Sequence, residues 1–525
     1  IGRYYVADNV GVSDNNTTNY KTQLNGRLQY ETTIAQNHNI GAMFVYSEEY
    51  WHTRSTGASR NDRIHPSTSE INSALTNVQS NSGSSASEGL RSYIGRMNYS
   101  AYDKYLLEFS FRVDGSSKFI KGHQYGFFPT VAVGWRFTEE EFLKKYLSSW
   151  LSSGKLRASW GKLGDNSGVG RFEQLETLTA MNYMSSDVVK GFVNKKMINK
   201  DLSWEVSTDI NVGLDLGFLN NRLRTEIDFY NRLRTGMNRP SQMSIHLTGA
   251  YSAPRANIGD LLNRGLELNL TWKDKIGNVE YSVNLNGAYN RTVLKEWNEF
   301  LSRGWVYLDM PYHFLYVYEN NGIAQTWQDI YNNTPQGLSP GDVIRKDLNG
   351  DGIIDGKDKK AYPNIQRDRP TTTYGITLQA AWKGFDISML FNGGLGRKDF
   401  WLTDFNNTAF ADRRYASTWD HWTEPWSLEN RGGEWPRLGT STDRSDNSYW
   451  LYNMNYLRMK NIMLGYNLPK KLLSKISMTN LRIYASAENL FTVTQYPGLD
   501  PEKKNSARDL YPINRSFSIG LNVSF

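Results

Sequence analysis

The sequence predicts an all-β protein, an antiparallel transmembrane β-barrel with long extracellular loops. Segments of alternating apolar and polar residues recur along the 525 residues, and every second connection between them is long and polar. The chain also ends in an alternating strand whose last residue is Phe525. No run of 18 or more apolar residues is present, which excludes a helical membrane span, whereas barrel strands give only weak hydropathy signals.

The predicted strands number about sixteen. Period-two alternation places apolar side chains on one face and polar side chains on the other, as in Tyr105, Leu107 and Phe109 against Leu106, Glu108 and Ser110. The clearest segments are 105–113, 210–217, 223–230, 266–272, 279–286 and 385–392. Helical periodicity is confined to short stretches near 139–146 and 470–476.

The connections favour a membrane barrel over a soluble sandwich. Tight turns are predicted at Asn37, Tyr102-Asp103, Asn220-Asn221, Lys273–Gly277 and Lys383-Gly384, and long polar connections at 52–89, 164–204, 236–261, 293–371, 398–448 and 492–513. Alternation alone does not say which face meets water, because a sandwich strand and a barrel strand both alternate. Short turns on one side and long loops on the other are typical of outer-membrane barrels, as are aromatics near strand ends such as Phe218, Trp272 and Trp382.

The two ends of the chain suggest a piece of a longer protein. Residues 1–6 already have strand character, without a signal peptide before them. At the other end, Phe517, Ile519, Leu521, Val523 and Phe525 share one face. This ending is typical of barrel strands that carry an assembly signal, although an ordinary amphipathic edge strand would look the same.

A calcium loop is predicted within the longest connection. Asp347, Asn349, Asp351, Ile353, Asp355 and Asp358 occupy positions 1, 3, 5, 7, 9 and 12 of a twelve-residue loop, with Gly352 at position 6. These positions supply oxygen ligands to Ca²⁺, the seventh through its backbone carbonyl. Position 12 is Asp rather than Glu, so the side chain that would bind the ion with both carboxylate oxygens is shorter. We expect the ion to fix the loop, and direct coordination of a bound substrate is the alternative.

Tryptophans are concentrated in another connection. Residues 401–450 contain six of the 16 tryptophans, namely Trp401, Trp419, Trp422, Trp426, Trp435 and Trp450. Exposed indoles bind sugar rings or partner proteins, so the first five are candidate contacts for a substrate or partner. The alternative is that the long loop uses these side chains as its own small core.

Enzymatic chemistry is not predicted. The seven histidines are scattered, no cysteine is present, and no Walker loop or zinc-binding His-Glu-x-x-His sequence occurs. Lys+Arg is 60 and Asp+Glu is 53, so the net charge of +7 is small for this length and no nucleic-acid partner is expected.

Several segments resemble the SusC/RagA-type TonB-dependent outer-membrane transporters of Bacteroidetes. They are Asp114–Phe119 followed by Phe128–Trp135, Leu156–Gly161, Trp204-Glu205, Arg264–Glu267, Asp347–Asp358, Tyr456–Tyr466, Glu488–Thr492 and Gly498–Glu502. The resemblance extends over nearly the whole chain, and its later motifs are the more specific.

The resemblance implies a 22-stranded barrel with an N-terminal plug, of which this chain would be the C-terminal part. We expect the plug and the first strands to lie outside the chain, since about sixteen strands are present. The implied function is TonB-dependent import of oligosaccharides or peptides. The implied partners are a SusD-like surface lipoprotein, the TonB complex acting through the missing N-terminal portion, and outer-membrane lipid and lipopolysaccharide. A surface binding or adhesion β-protein and a passive porin are the alternatives.

Overall fold

The structure is a computed structural model dominated by one long antiparallel sheet. It describes residues 11–61, 68–76, 79–147, 149–184, 188–194, 196–248, 253–298, 307–312, 314–400, 424–437, 447–473, 478–503 and 513–524. Within these ranges no helix is long and apolar enough to cross a membrane. The chain divides into two compact units, one of residues 1–134, 159–209 and 234–259, the other of residues 135–158, 210–233 and 260–525.

Fifteen strands form the main sheet. They are β1 (Val12–Ile34), β2 (His38–Arg60), β3 (Gln79–Ala101), β4 (Tyr105–Ser116), β5 (Tyr125–Trp135), β6 (Leu151–Asp165), β9 (Glu205–Phe218), β10 (Leu223–Thr235), β13 (Asp260–Ile276), β14 (Val279–Glu296), β19 (Thr372–Trp382), β20 (Phe385–Leu395), β23 (Tyr456–Asn467), β24 (Asn480–Thr494) and β25 (Ser516–Ser524). Each strand neighbours the next one in this series. The all-β prediction is confirmed, and the strand expected at residues 1–6 lies outside the described residues.

The remaining elements are short and lie in the connections. The small strands are β7 (Leu178–Met184), β8 (Val188–Asn194), β11 (Asn238–Pro240), β12 (Arg255–Asn257), β15 (Phe314–Tyr318), β16 (Asn320–Ile323), β17 (Val343–Arg345), β18 (Lys359–Gln366), β21 (Lys398–Phe400) and β22 (Leu451–Asn453). They form five two-stranded sheets. The helices are α1 (Glu141–Leu147), α2 (Ile245–Thr248), α3 (Trp327–Tyr331) and α4 (Lys470–Leu473), and α1 and α4 match the two predicted helical stretches.

The alternation of short and long connections is confirmed with two corrections. The predicted connection 52–89 is wrong, because β2 and β3 continue as paired strands to Arg60 and from Gln79. These strand ends are polar on both faces, so they lack the apolar alternation from which strands are predicted, although their backbones pair normally. The alternation of short and long connections predicts a long connection between β4 and β5, but the observed connection, 117–124, is short.

The short turns depend on left-handed backbone. At the β9–β10 turn Asn220 and Asn221 have φ of 58° and 61°, and at the β19–β20 turn Lys383 and Gly384 have φ of 47° and 91°. Two consecutive positive φ values match the right-handed twist of the flanking strands, and Asn and Gly adopt them at the lowest cost. The turn predictions at these positions are therefore confirmed.

Candidate functional site

The long connections of the second unit pack around a hydrophobic core of their own. Its buried members are Leu315, Val317, Val343, Phe400, Trp450, Met454 and Tyr496. They come from three different connections, those between β14 and β19, between β20 and β23, and after β24. Because burial of one large apolar side chain contributes roughly 1.5–3 kcal/mol, this core holds the three connections together as a folded body, which we call the loop assembly.

Two buried arginines hold the segment after β24 in the loop assembly. The Arg458 guanidinium donates to the Asp500 carboxylate at 2.7 Å and to the Glu502 carboxylate at 2.6 Å. Arg397 donates to the backbone carbonyls of 501–503 at 3.0–3.2 Å. Both arginine side chains are nearly inaccessible to solvent, at 3% and 2%. The Gly498–Glu502 motif is therefore a fixed part of the assembly.

An ion pair with a buried carboxylate joins the segment 424–437 to the loop assembly. Arg437 donates to both oxygens of the Asp342 carboxylate at 2.8 and 3.2 Å, and Asp342 is only 1% exposed. Beside this pair Trp426 packs over Gly341, where a Cβ would collide with the indole ring. Gly341 has a φ of 92°, which glycine adopts at low cost, and its lack of a side chain leaves room for the indole ring.

The predicted calcium loop is closed by its own hydrogen bonds. The Asp347 carboxylate accepts from the backbone amides of Gly350 at 2.7 Å and Gly352 at 2.9 Å. The Asp351 carboxylate accepts from the Ile353 amide at 3.0 Å and from the Asn349 side chain at 2.9 Å. This folding draws the predicted ligand positions into one tight loop.

Asp358 is the most enclosed of the predicted ligands. Its side chain is fully buried, and its carboxylate accepts from the amides of Asp355 and Leu348 at 2.9 Å and of Asn349 at 3.4 Å. The Asp355 amide first, and the other two amides with it, hold the pKa of Asp358 below its ordinary value against the opposing effect of burial. The residue is therefore ionised at neutral pH, and no cationic side chain of the described residues contacts it.

The side chains of the loop do not converge on a single point. Among the described residues no group of three or more His, Cys, Asp or Glu side chains is placed to hold a metal ion. Ile353 at position 7 is exposed, and Ile354 at position 8 is half-buried. The oxygen-only donor set fits a hard cation, but Asp347 and Asp351 accept backbone amides in this arrangement.

The tryptophans are placed unequally. Trp401, Trp419 and Trp422 lie outside the described residues. Trp426 is buried at 6% exposure, with its indole N–H donating to the Gln325 side chain at 2.9 Å, and Trp435 packs against the core of the loop assembly. The placement of Trp426 and Trp435 favours the interpretation of a core for the loop, and a contact with a substrate or partner stays a prediction.

Two charged clusters lie on the polar face of the sheet in the second unit. Arg157 on β6 donates to both oxygens of Asp228 on β10 at 2.5 Å and to Asp215 on β9 at 3.1 Å. The guanidinium crosses β9 over Gly213, where a Cβ would collide with it. In the same way Arg482 reaches Asp386 across β23.

The opposite face of these strands is apolar and exposed. Phe385, Leu464, Ile483 and Ile519 are 55%, 55%, 46% and 87% exposed. The strand register places Leu464 and Ile519 in one row, and Phe385 and Ile483 in the neighbouring row of the same face. A row of this kind in water would promote aggregation, whereas in a bilayer it matches the apolar band of a barrel. The charged clusters therefore lie on the face away from lipid.

Sequence reasoning missed the residues that hold the loop assembly. Arg397, Asp342 and Arg437 were not predicted, and Arg458 was recognised only as part of a motif. Their partners lie 42 to 106 residues away in the chain. A charged residue within an otherwise apolar stretch, such as Arg458 between Leu457 and Met459, is the one signal that points to buried pairing.

Comparisons with known proteins agree with this architecture. Residues 2–335 match the family model described as TonB dependent receptor-like, beta-barrel. TonB-dependent receptor P3 of Formosa agariphila is 30% identical over 83% of this chain and 45% of its own length, and TonB-dependent receptor SusC of Bacteroides thetaiotaomicron is 30% identical over 83% and 44%. The chain thus spans less than half of these curated relatives.

Solved structures give the same fold. The structure of the RagAB peptide transporter matches 98% of this chain and 56% of its own chain, with a TM-score of 0.81 and 23% sequence identity. The open-open state of the RagAB peptide importer matches with a TM-score of 0.80. The chain belongs to the TonB-dependent receptor β-barrel family, in its SusC/RagA type, and is an outer-membrane protein of the Bacteroidetes kind.

Proposed function

We propose that the chain forms the barrel wall and the surface loops of a transporter that imports oligosaccharides or peptides across the outer membrane. The observation that carries the proposal is the 30% identity to TonB-dependent receptor SusC, spread over 83% of the chain. The polar face of the sheet guides a hydrated solute, and the loop assembly encloses it. No catalytic step is required, so the protein acts by binding and transport.

The partners follow from the same proposal. A SusD-like surface lipoprotein covers the long loops and delivers the solute to them. The TonB complex supplies energy through a plug that we expect in an N-terminal portion outside this chain. Outer-membrane lipid and lipopolysaccharide contact the apolar row that includes Leu464 and Ile519. Trp401, Trp419, Trp422, Trp426 and Trp435 remain the proposed contacts for a substrate or partner.

Energised uptake is the decisive test. Cells that lack the full-length gene would be supplied with labelled oligosaccharide or peptide mixtures, and accumulation compared with complemented cells. The proposal expects accumulation that disappears without the gene and also disappears in cells without TonB. Uptake that persists without TonB would indicate a passive porin, and surface binding without accumulation would indicate an adhesion protein.

We also propose that the loop Asp347–Asp358 binds Ca²⁺. Four carboxylates lie within twelve residues, and the buried Asp358 carboxylate accepts hydrogen bonds from the backbone amides of Leu348 and Asp355. Bound Ca²⁺ would supply charge neutralisation to these carboxylates. The residues that would hold it are Asp347, Asn349, Asp351, Asp355 and Asp358 with the Ile353 carbonyl, and its role would be to stiffen the connection.

Calorimetry on the purified protein tests the calcium proposal. Asp347→Ala and Asp351→Ala should each abolish measurable Ca²⁺ binding, because each removes a charged oxygen ligand. Glu319→Gln is the matched control, since this carboxylate lies in the same connection but pairs with Lys360. Binding that is unchanged in the two Ala variants would refute the assignment.

A further inference from the structure

A cavity of about 300 Å³ lies in the first unit. Its walls come from the middle of β2 and β3, at Tyr50 and 87–89, and from the connections 117–124 and 166–204. The volume is at the small end of the range for ligand pockets, which suits one sugar or amino-acid residue. The family motif Asp114–Phe119 runs along one wall, and Lys118 of that motif lines the cavity.

The charge in the cavity is unbalanced. The Glu88 carboxylate faces two cations, Lys118 Nζ at 3.4 Å and Arg171 Nε at 3.4 Å. All three side chains are largely buried, at 21%, 15% and 29% exposure. In the described part of the chain neither cation pairs with a second carboxylate, because their other partners are the Asn166 carbonyl and the Thr53 hydroxyl. One positive charge is left without a counter-charge.

The ion pairs in the cavity are also loose. Charge-assisted hydrogen bonds between nitrogen and carboxylate normally measure about 2.7–2.9 Å. Elsewhere in the chain Arg458 and Asp500 meet at 2.7 Å, whereas both contacts to Glu88 are 3.4 Å. The two cations therefore retain donor capacity that a bound anion can use.

The walls are held in place before any ligand binds. Phe119, Val169 and Leu202 form a small core, with Trp204 packed against it. Phe172 has a left-handed φ of 62°, a conformation that costs a non-glycine residue energy and persists only where its surroundings impose it.

Polar and aromatic groups complete the cavity. Tyr50 and Phe172 present partly exposed rings, at 41% and 36%. The Gln174 side chain donates to the Ser117 carbonyl at 2.7 Å, and its own carbonyl oxygen is buried without a hydrogen-bond partner.

We propose that this cavity binds one carboxylate-bearing residue of the solute. The carboxylate sits between Lys118 and Arg171, and the body of the residue lies against Tyr50 and Phe172. An acidic sugar and the carboxyl end of a peptide share this chemistry. The proposal rests on the proposed import function, to which it adds a preference for anionic solutes.

Equilibrium binding to the purified full-length protein tests the proposal. Two matched pairs of probes differ only in the acid: glucuronate with glucose, and N-acetylalanine with its amide. We expect the acid of at least one pair to bind at least tenfold more tightly than its neutral partner, and the pair that responds identifies the source of the carboxylate. Equal affinity within both pairs, or no binding by either acid, would overturn the proposal.

Variants separate recognition from structure. Lys118→Met should weaken binding of the acid about tenfold, since one charge-assisted contact is lost. Glu88→Gln should tighten it, because the competing carboxylate is removed. Lys121→Met is the matched control, an exposed lysine in the same connection, and should change nothing. Arg171→Lys keeps the charge and should retain most of the affinity, which guards against a folding defect.

The outcomes distinguish this proposal from the import function. If Glu88→Gln weakens binding as strongly as Lys118→Met, the cluster is structural or binds a cation, and the proposal is wrong. If acids do not bind but energised uptake of neutral solutes depends on the gene, the import function stands and only this site fails.

Discussion

Replacement of Arg458 by Leu should release the segment after β24 from the loop assembly. In the native chain Arg458 contacts Asp500 at 2.7 Å, Glu502 at 2.6 Å and the Thr492 hydroxyl at 2.9 Å. Without the guanidinium, Asp500 keeps the Glu502 amide at 3.0 Å, and its second oxygen already has no hydrogen-bond partner among the described residues. Removal of one partner from a buried pair costs roughly 3–5 kcal/mol.

The loss of stability should be confined to the segment after β24 and should not extend to the sheet. At about 1.4 kcal/mol per tenfold, the open population of residues 495–503 should rise by roughly two to three and a half orders of magnitude. Hydrogen exchange followed by mass spectrometry measures this as a loss of protection in 495–503, with β23 and β24 little changed. Lys275→Met is the control, because Lys275 and Glu280 form an exposed pair whose side chains are 58% and 68% accessible. Such pairs contribute about 0–1 kcal/mol.

A second substitution sharpens the test. Asp500→Leu added to Arg458→Leu removes the orphaned carboxylate, so part of the lost protection should return. Exchange in 495–503 that is unchanged in the single variant, or that matches the Lys275→Met control, would show that the buried pair does not hold the segment.

The remaining predictions concern the loop, the wall and the tryptophans. The pKa of Asp358 lies below its ordinary value near 3.8. Its contribution to the stability of the folded loop should therefore be complete above that value and be lost as the pH falls through the lower native pKa. Proteolysis of the loop across a pH series checks this, and Asp358→Asn should remove the pH dependence. Gly213→Val should impair folding of the sheet, measured by thermal unfolding, whereas Gly26→Ala, with no atom within 4 Å of its added Cβ, should not. Trp426→Ala should cost roughly 3–5 kcal/mol and open the loop assembly to protease, while Trp327→Ala, at 56% exposure, should have little effect.

The strands of the sheet were predictable because each has an apolar face toward lipid and a polar face on the opposite side. Alternation such as that of Ile483 with Tyr484 is required at every position, so it is visible in a short window of sequence. The ends of β2 and β3 were missed for the complementary reason. Their segments from His52 and up to Gly89 have polar residues on both faces, and only backbone pairing identifies them as strands.

The loop assembly was less predictable because its contacts are distant in sequence. The spacing of Asp347–Asp358 predicted a compact loop, since every contact within it spans fewer than twelve residues. The Arg437–Asp342 pair joins positions that are 95 residues apart, and no local sequence pattern predicts it. The tryptophan surplus indicated an unusual connection but did not separate a binding surface from a core, because an indole serves both with the same chemistry.

The two kinds of region also differ in what a substitution changes. On the lipid-facing row, Leu464 and Ile519 need only be apolar, so exchange among apolar residues is tolerated there. In the loop assembly the buried charges of Arg458 and Arg397 require partners at fixed positions, so a change of one residue requires a change of another. The buried pairs thus fix the backbone of the connections while their exposed side chains remain free to vary.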